Sequence, residues 1–183
     1  MIRARGLVVV SALLCLAVSD TGSAGADDGK ESTVEAETGS AGFSLVLPAG
    51  FVDAPRIAAA AKQSATAVDG AAAVVARAWA HRSLGCYALL QTTTADKNTN
   101  IERLHHATSE AASARGIKVS DYKFAKTTSH FRFRQDTLRG ATVTRSVATD
   151  ATVRVGFASC FYQPRRAARC ELLCSDILEQ FEK

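Results

Sequence analysis

The sequence predicts a single α+β domain from about Gly42 to Lys183, an antiparallel sheet with two principal helices packed against it. Three observations lead there. Apolar residues recur at helical spacing from Asn98 to Arg115, at a period of two from Ile117 to Gln163, and at helical spacing again after Pro164. The connectors between successive strand-like runs are short, and short connectors join antiparallel neighbours. Finally, 183 residues less a leader suffice for one domain with a real core, not comfortably for two.

The leader is residues 1–26. Arg3 and Arg5 form a basic start, Leu7 to Val18 is almost unbroken apolar sequence, and Ala24-Gly25-Ala26 precedes Asp27-Asp28. A charged start, a short apolar core and an A-x-A site form a secretory signal, here expected to be cleaved after Ala26. The apolar run is short for a membrane span, and Leu14 sits where a lipid site at Cys15 would need a small residue. The mature protein is therefore expected to be secreted or periplasmic, with no transmembrane segment. Residues 27–41 are acidic and rich in Ser, Thr, Gly and Ala, with Val34 the only large apolar side chain. Such a stretch buries too little surface to offset the entropy of ordering, and reads as a disordered linker.

The elements of the domain follow in order. Phe43 to Leu47 is a strand ended by Pro48-Ala49-Gly50. Pro55 to Gly70 is alanine-rich with only Ile57 and Val68 as large apolar residues, a short helix or a loose connection. Val74 to Arg82 and Cys86 to Thr93 are strand-like and separated by a hairpin-length Ser83-Leu84-Gly85. Ile101, Leu104, Thr108, Ala111 and Ala112 give the next helix a thin apolar stripe, so it should lie on a sheet, and Gly116 stops it. Ile117 to Lys126, Ser129 to Thr137, Ala141 to Ala148 and Thr152 to Tyr162 are successive strands. The terminal helix carries Cys170, Leu173, Cys174, Ile177, Leu178 and Phe181 on one stripe.

Cys15 leaves with the signal, so the mature chain keeps Cys86, Cys160, Cys170 and Cys174. An even count in an oxidising compartment implies two disulfides. Cys170 and Cys174 stand four apart on one helix and should not pair with each other. The favoured pairing is Cys160–Cys170, closing a short strand-to-helix loop, with Cys86–Cys174. The rival is a zinc site using Cys170, Cys174 and a histidine, which lacks a CxxC pair.

Two segments resemble a known family. Gly42-Phe43-Ser44-Leu45-Val46-Leu47-Pro48-Ala49-Gly50-Phe51 resembles the first strand of PsbP-like exported domains. Cys160 to Phe181 is similar to the last strand and helix of related exported bacterial domains, where a cysteine in each is common. The resemblance implies an α+β fold and an accessory or interaction role, and it brings no catalytic signature.

The residues themselves point the same way. His105-His106 are adjacent on a helix and diverge by roughly 100°, so they cannot converge on one metal. No HExxH, HxH or G-x-S-x-G pattern occurs, and no metal or other cofactor is expected. Trp79 shares a strand face with Arg77 and His81, as a stacking platform or as a cover for the sheet beneath a helix. From Arg103 to Arg169, thirteen lysines and arginines stand against four acids (Glu110, Asp121, Asp136 and Asp150). Arg132 and Arg134 alternate with Phe131 and Phe133, so they project from one side of their strand. Arg139, Arg154 and Lys123 are candidates to join them in an anion-binding face. Nucleic acid is disfavoured because the chain is read as exported and no aromatic residues interleave the basic side. The expected function is an exported, non-enzymatic binding or accessory module whose basic face meets an acidic protein or an anionic glycan or envelope surface. The competing class is a secreted hydrolase with an unrecognised site using His81 or His130.

Overall fold

A computed structural model describes residues 32–36, 42–66, 74–135 and 137–182. In chain order the elements are β1 (Ser32–Ala36), β2 (Phe43–Leu47), β3 (Phe51–Asp53), α1 (Pro55–Thr66), β4 (Val75–His81), β5 (Cys86–Asp96), α2 (Ile101–Ala114), β6 (Lys118–Ala125), β7 (Thr128–Gln135), β8 (Leu138–Ala148), β9 (Thr152–Tyr162) and α3 (Ala167–Glu182). Seven strands form one antiparallel sheet in the order β3-β4-β5-β9-β8-β7-β6, while β1 and β2 pair as a separate ribbon. The single α+β domain is as the sequence predicts, with three helices against the sheet instead of two. The expected signal at residues 1–26 lies outside the described residues.

The third helix is α1. Its buried contacts are Ile57, Ala61 and Ala65, packed near the alanines Ala76, Ala78 and Ala80 of β4. Small residues on both partners let helix and strand approach closely, so the contact needs few bulky side chains and leaves little periodic signal. Ser32–Ala36, which falls within the expected linker at 27–41, pairs antiparallel with all of β2. Backbone hydrogen bonds to a neighbour order this segment despite its scarcity of large apolar side chains. The rest of that linker lies outside the described residues.

Both faces of the sheet's centre are covered. On one, α3 and β2 place Ile177, Leu178, Phe181, Leu45 and Leu47 against Trp79, Ala88, Leu90 and Ala158. On the other, α1 and α2 cover Ala78, Leu89, Phe131, Phe133, Phe157 and Phe161. Hence β9 is buried continuously from Val155 to Tyr162, a run of the kind two-sided burial produces. Gly156 makes the ribbon's seat. A Cβ there would stand 2.6 Å from the ring of Phe43.

The disulfides are Cys86–Cys170 and Cys160–Cys174, with Cα separations of 5.7 and 5.3 Å. This corrects the expected Cys160–Cys170 and Cys86–Cys174. Cys86 lies opposite Tyr162 at the end of β9, and Cys160 lies one step further in, opposite Ala88. Four residues of helix advance about 6 Å and two residues of strand about 6.6 Å. With α3 turned back along β9, Cys170 reaches the end row and Cys174 the next. Helix direction, not loop length, sets the pairing.

Candidate functional site

The anion-binding face was expected from five side chains, and strand register decides which of them meet. Arg134 lies directly opposite Lys118 on β6 and Arg139 on β8. Arg139 in turn faces Tyr162 on β9. Lys118, Arg134 and Arg139 thus form one row across three neighbouring strands, on the sheet face that carries α3. Arg132 stands in the next row, between Ser120 and Ala141. Lys123 follows beside His130. The register shifts between Ser120 and Lys123, where Asp121 takes a φ of 55° and brings its carboxylate to 4.0 Å from Arg132 Nε. Both of those side chains are well exposed, so the pair is worth little.

Arg154 does not belong to this group. It lies eight residues along β9 from Tyr162, opposite Thr94 and Val147, roughly 26 Å away at strand spacing. Lys118 was missed by motif reading and becomes visible once β6 and β7 are registered. Arg145 was missed too. Its Nη1 donates to the Phe181 carbonyl at 2.9 Å and its guanidinium stands over the Phe181 ring, which satisfies an orphan carbonyl at the end of α3.

Between the outer strands and α3 runs a groove of about 450 Å³. One wall carries Lys123, His130 and Arg132. The other is the face of α3 bearing Glu171, Ser175, Glu179 and Glu182, and Ala141, Val143 and Leu178 contribute apolar surface between them. At one end the Tyr162 hydroxyl donates to Glu171 Oε1 at 3.1 Å. Burial, reinforced by Glu171, raises the Tyr162 pKa to about 12, while Arg139 and Arg132 pull it down. The two guanidinium groups are therefore felt at the phenol. His130 has its pKa lowered by burial; Glu182 opposes this, and Lys123 and Arg132 add to it. Arg139 Nε is shielded from water and has no hydrogen-bond partner among the described residues.

The remaining histidines and Trp79 have structural placements. His81 Nδ1 accepts from the backbone N–H of Ser83 and of Leu84 at 3.4 Å, capping the β4–β5 turn. It lies on β4, four strands from His130 on β7. His105 is fully buried, with one ring nitrogen 2.7 Å from Ser129 Oγ and the other 2.7 Å from Ser146 Oγ. His106 sits on the surface 4.0 Å from Glu110, diverging from its neighbour as expected. Trp79 is 3% exposed within the α3-side core, which makes it a cover for the sheet. Its ring faces the Arg77 guanidinium at 5.4 Å.

No family model, curated protein or solved structure matches this chain. Among the described residues no group of three His, Cys, Asp or Glu side chains is placed to hold a metal ion, and no helix is long and apolar enough to cross a membrane. The two disulfides occupy Cys170 and Cys174, the cysteines that the zinc alternative would have drawn on.

Proposed function

We propose that the protein is an exported, PsbP-like binding or accessory module without chemistry of its own, and that Lys118, Arg132, Arg134, Arg139 and Lys123 engage an anionic partner. The carrying observation is the row Lys118, Arg134 and Arg139. Like charges directly opposite on neighbouring strands destabilise a sheet by some tenths of a kcal/mol up to about 1 kcal/mol per pair. Folding alone gives no reason to set three cations side by side; an anion seated on them relieves the repulsion. Two disulfides tie α3 to the sheet beside the row, in keeping with an oxidising compartment.

The test is co-purification from the native host with the wild type and with Arg132→Glu/Arg134→Glu. Both side chains are exposed, so the melting temperature should stay within a degree or two. The wild type should retain a partner that elutes with salt, and the double variant should lose it. An unchanged partner set rejects the basic face as the docking surface. Intact mass of the recovered protein tests export independently: a chain beginning at Asp27 supports it, and one beginning at Met1 contradicts it.

A further inference from the structure

The groove beside the basic row is not uniformly basic, and that narrows the partner. Glu171, Ser175, Glu179 and Glu182 recur at spacings of four, four and three residues, so they line one face of α3. Opposite them, His130 and Arg132 lie two apart on β7 and share a face of the strand, with Lys123 alongside on β6. A basic wall and an acidic wall run side by side, with Ala141, Val143 and Leu178 between them. A ligand carrying anions alone, such as a sulfated glycan or a phosphate polymer, would gain from one wall and be repelled by the other. An extended polypeptide meets both demands, because its successive side chains point to opposite sides.

We infer that this groove receives an extended peptide segment of a partner protein, with acidic side chains turned toward Lys123 and Arg132 and basic side chains turned toward Glu179 and Glu182. Length sets the register. Glu171 to Glu182 spans about 16 Å of helix at 1.5 Å per residue, which matches about five residues of extended chain. The occupant is a stretch of alternating acidic and basic residues. The volume of about 450 Å³ falls within the roughly 300–1,000 Å³ typical of specific small-ligand clefts. This inference rests on the proposal that the basic face is the docking surface, and it names the chemistry of the partner.

The experiment uses the full disulfide-bonded protein and three fluorescein-labelled probes: the peptide Gly-Glu-Lys-Glu-Lys-Glu-Gly, a pentaglutamate flanked by the same two glycines, and a sulfated oligosaccharide. Anisotropy titrations at low salt compare the wild type with Glu179→Lys/Glu182→Lys and with Arg132→Glu/Arg134→Glu. The wild type should prefer the alternating peptide. Reversing the acidic wall should weaken that peptide roughly tenfold, as expected for losing two exposed ion pairs and adding repulsion, and should tighten pentaglutamate. The arginine variant, which reverses Arg132 of the basic wall and Arg134 of the adjoining row, should weaken both peptides. If Glu179→Lys/Glu182→Lys leaves the alternating peptide unchanged or tightens it, the peptide assignment is overturned. If the wild type prefers the oligosaccharide or pentaglutamate and only the arginine variant loses them, the basic face stands and its partner is a plain anion. If no probe binds the wild type, the peptide assignment falls, and co-purification alone judges the basic face.

Discussion

Acid should destabilise this protein through one buried side chain, His105. The imidazole is fully buried, with Ser129 Oγ and Ser146 Oγ on its two nitrogens and the ring of Phe124 edge-on at 5.2 Å. A neutral imidazole suits this site, since one nitrogen donates and the other accepts. Burial accordingly lowers its pKa from 6.5 to about 4. The unfolded chain binds a proton near pH 6.5 and the folded chain only near pH 4, so unfolding takes up a proton between those values. Stability is therefore highest above pH 6.5 and falls as pH drops toward 4. The difference of about 2.5 pKa units corresponds to about 3 kcal/mol at 1.36 kcal/mol per unit. That is a large share of the roughly 5–15 kcal/mol that holds a typical domain together. Urea unfolding at intervals from pH 7.5 to 4.5 measures it. His105→Gln supplies the control, because an amide can still bond the serines and does not titrate. Burial also lowers the pKa of His81 and His130, so a smaller decline of the same sign should remain in the variant. The wild-type curve should fall more steeply by most of those 3 kcal/mol. Parallel curves would refute the placement of His105 as a buried neutral group.

Three further outcomes are expected. Peptide mapping under non-reducing conditions should recover Cys86–Cys170 and Cys160–Cys174. Their sequence separations of 84 and 14 imply losses of about 4.5 and about 3 kcal/mol on replacing each pair with alanine, under the chain-entropy account; equal losses would contradict that ordering. Gln91 is fully buried, with both amide atoms lacking a partner among the described residues, so Gln91→Met should raise stability by about 1 kcal/mol in thermal or urea melts. A loss instead would show that the amide is satisfied. Gly156→Ala should cost about 1–3 kcal/mol by pushing Phe43 and its ribbon off the sheet, and hydrogen exchange of β2 should rise with it.

The fold was legible wherever a segment carried its own period. β2 and β9 fall where their alternation places them. Helix α2 begins where Asn100 caps it, its Oδ1 accepting from the Arg103 N–H at 2.9 Å. The elements that pattern reading left open or did not assign depend on a partner. α1 works through alanines that match alanines on β4, and β1 exists because β2 offers it an edge. Two-sided burial was hidden for the same reason: β7 alternates because only one of its faces is covered throughout, while β9 lies between helices on both sides.

The candidate site was half legible, and what stayed hidden is relational. Alternation with Phe131 and Phe133 is enough to put Arg132 and Arg134 on one side. It cannot say which residues of β6 and β8 stand beside them, because that depends on turn geometry and on the shift at Asp121. One residue of slip would turn Arg139 to the other face and place a cation against the ring of Phe161. The observed register instead keeps Arg139 beside Tyr162 and Arg134 and aligns three cations that local sequence separates by 16 and 5 positions. The acidic wall was less visible still. Glu171, Glu179 and Glu182 read from sequence as the solvated side of an amphipathic helix, and they are that. They become one wall of a groove because α3 lies along β9, tied there by Cys170 and Cys174 and packed through Ile177, Leu178 and Phe181, at a distance from β7 that leaves the intervening floor open. A variant lacking both disulfides but still folded should keep its basic row and lose its preference for mixed-charge peptide over pentaglutamate. Retention of that preference would mean that packing of Ile177, Leu178 and Phe181 holds the acidic wall in place without the covalent links.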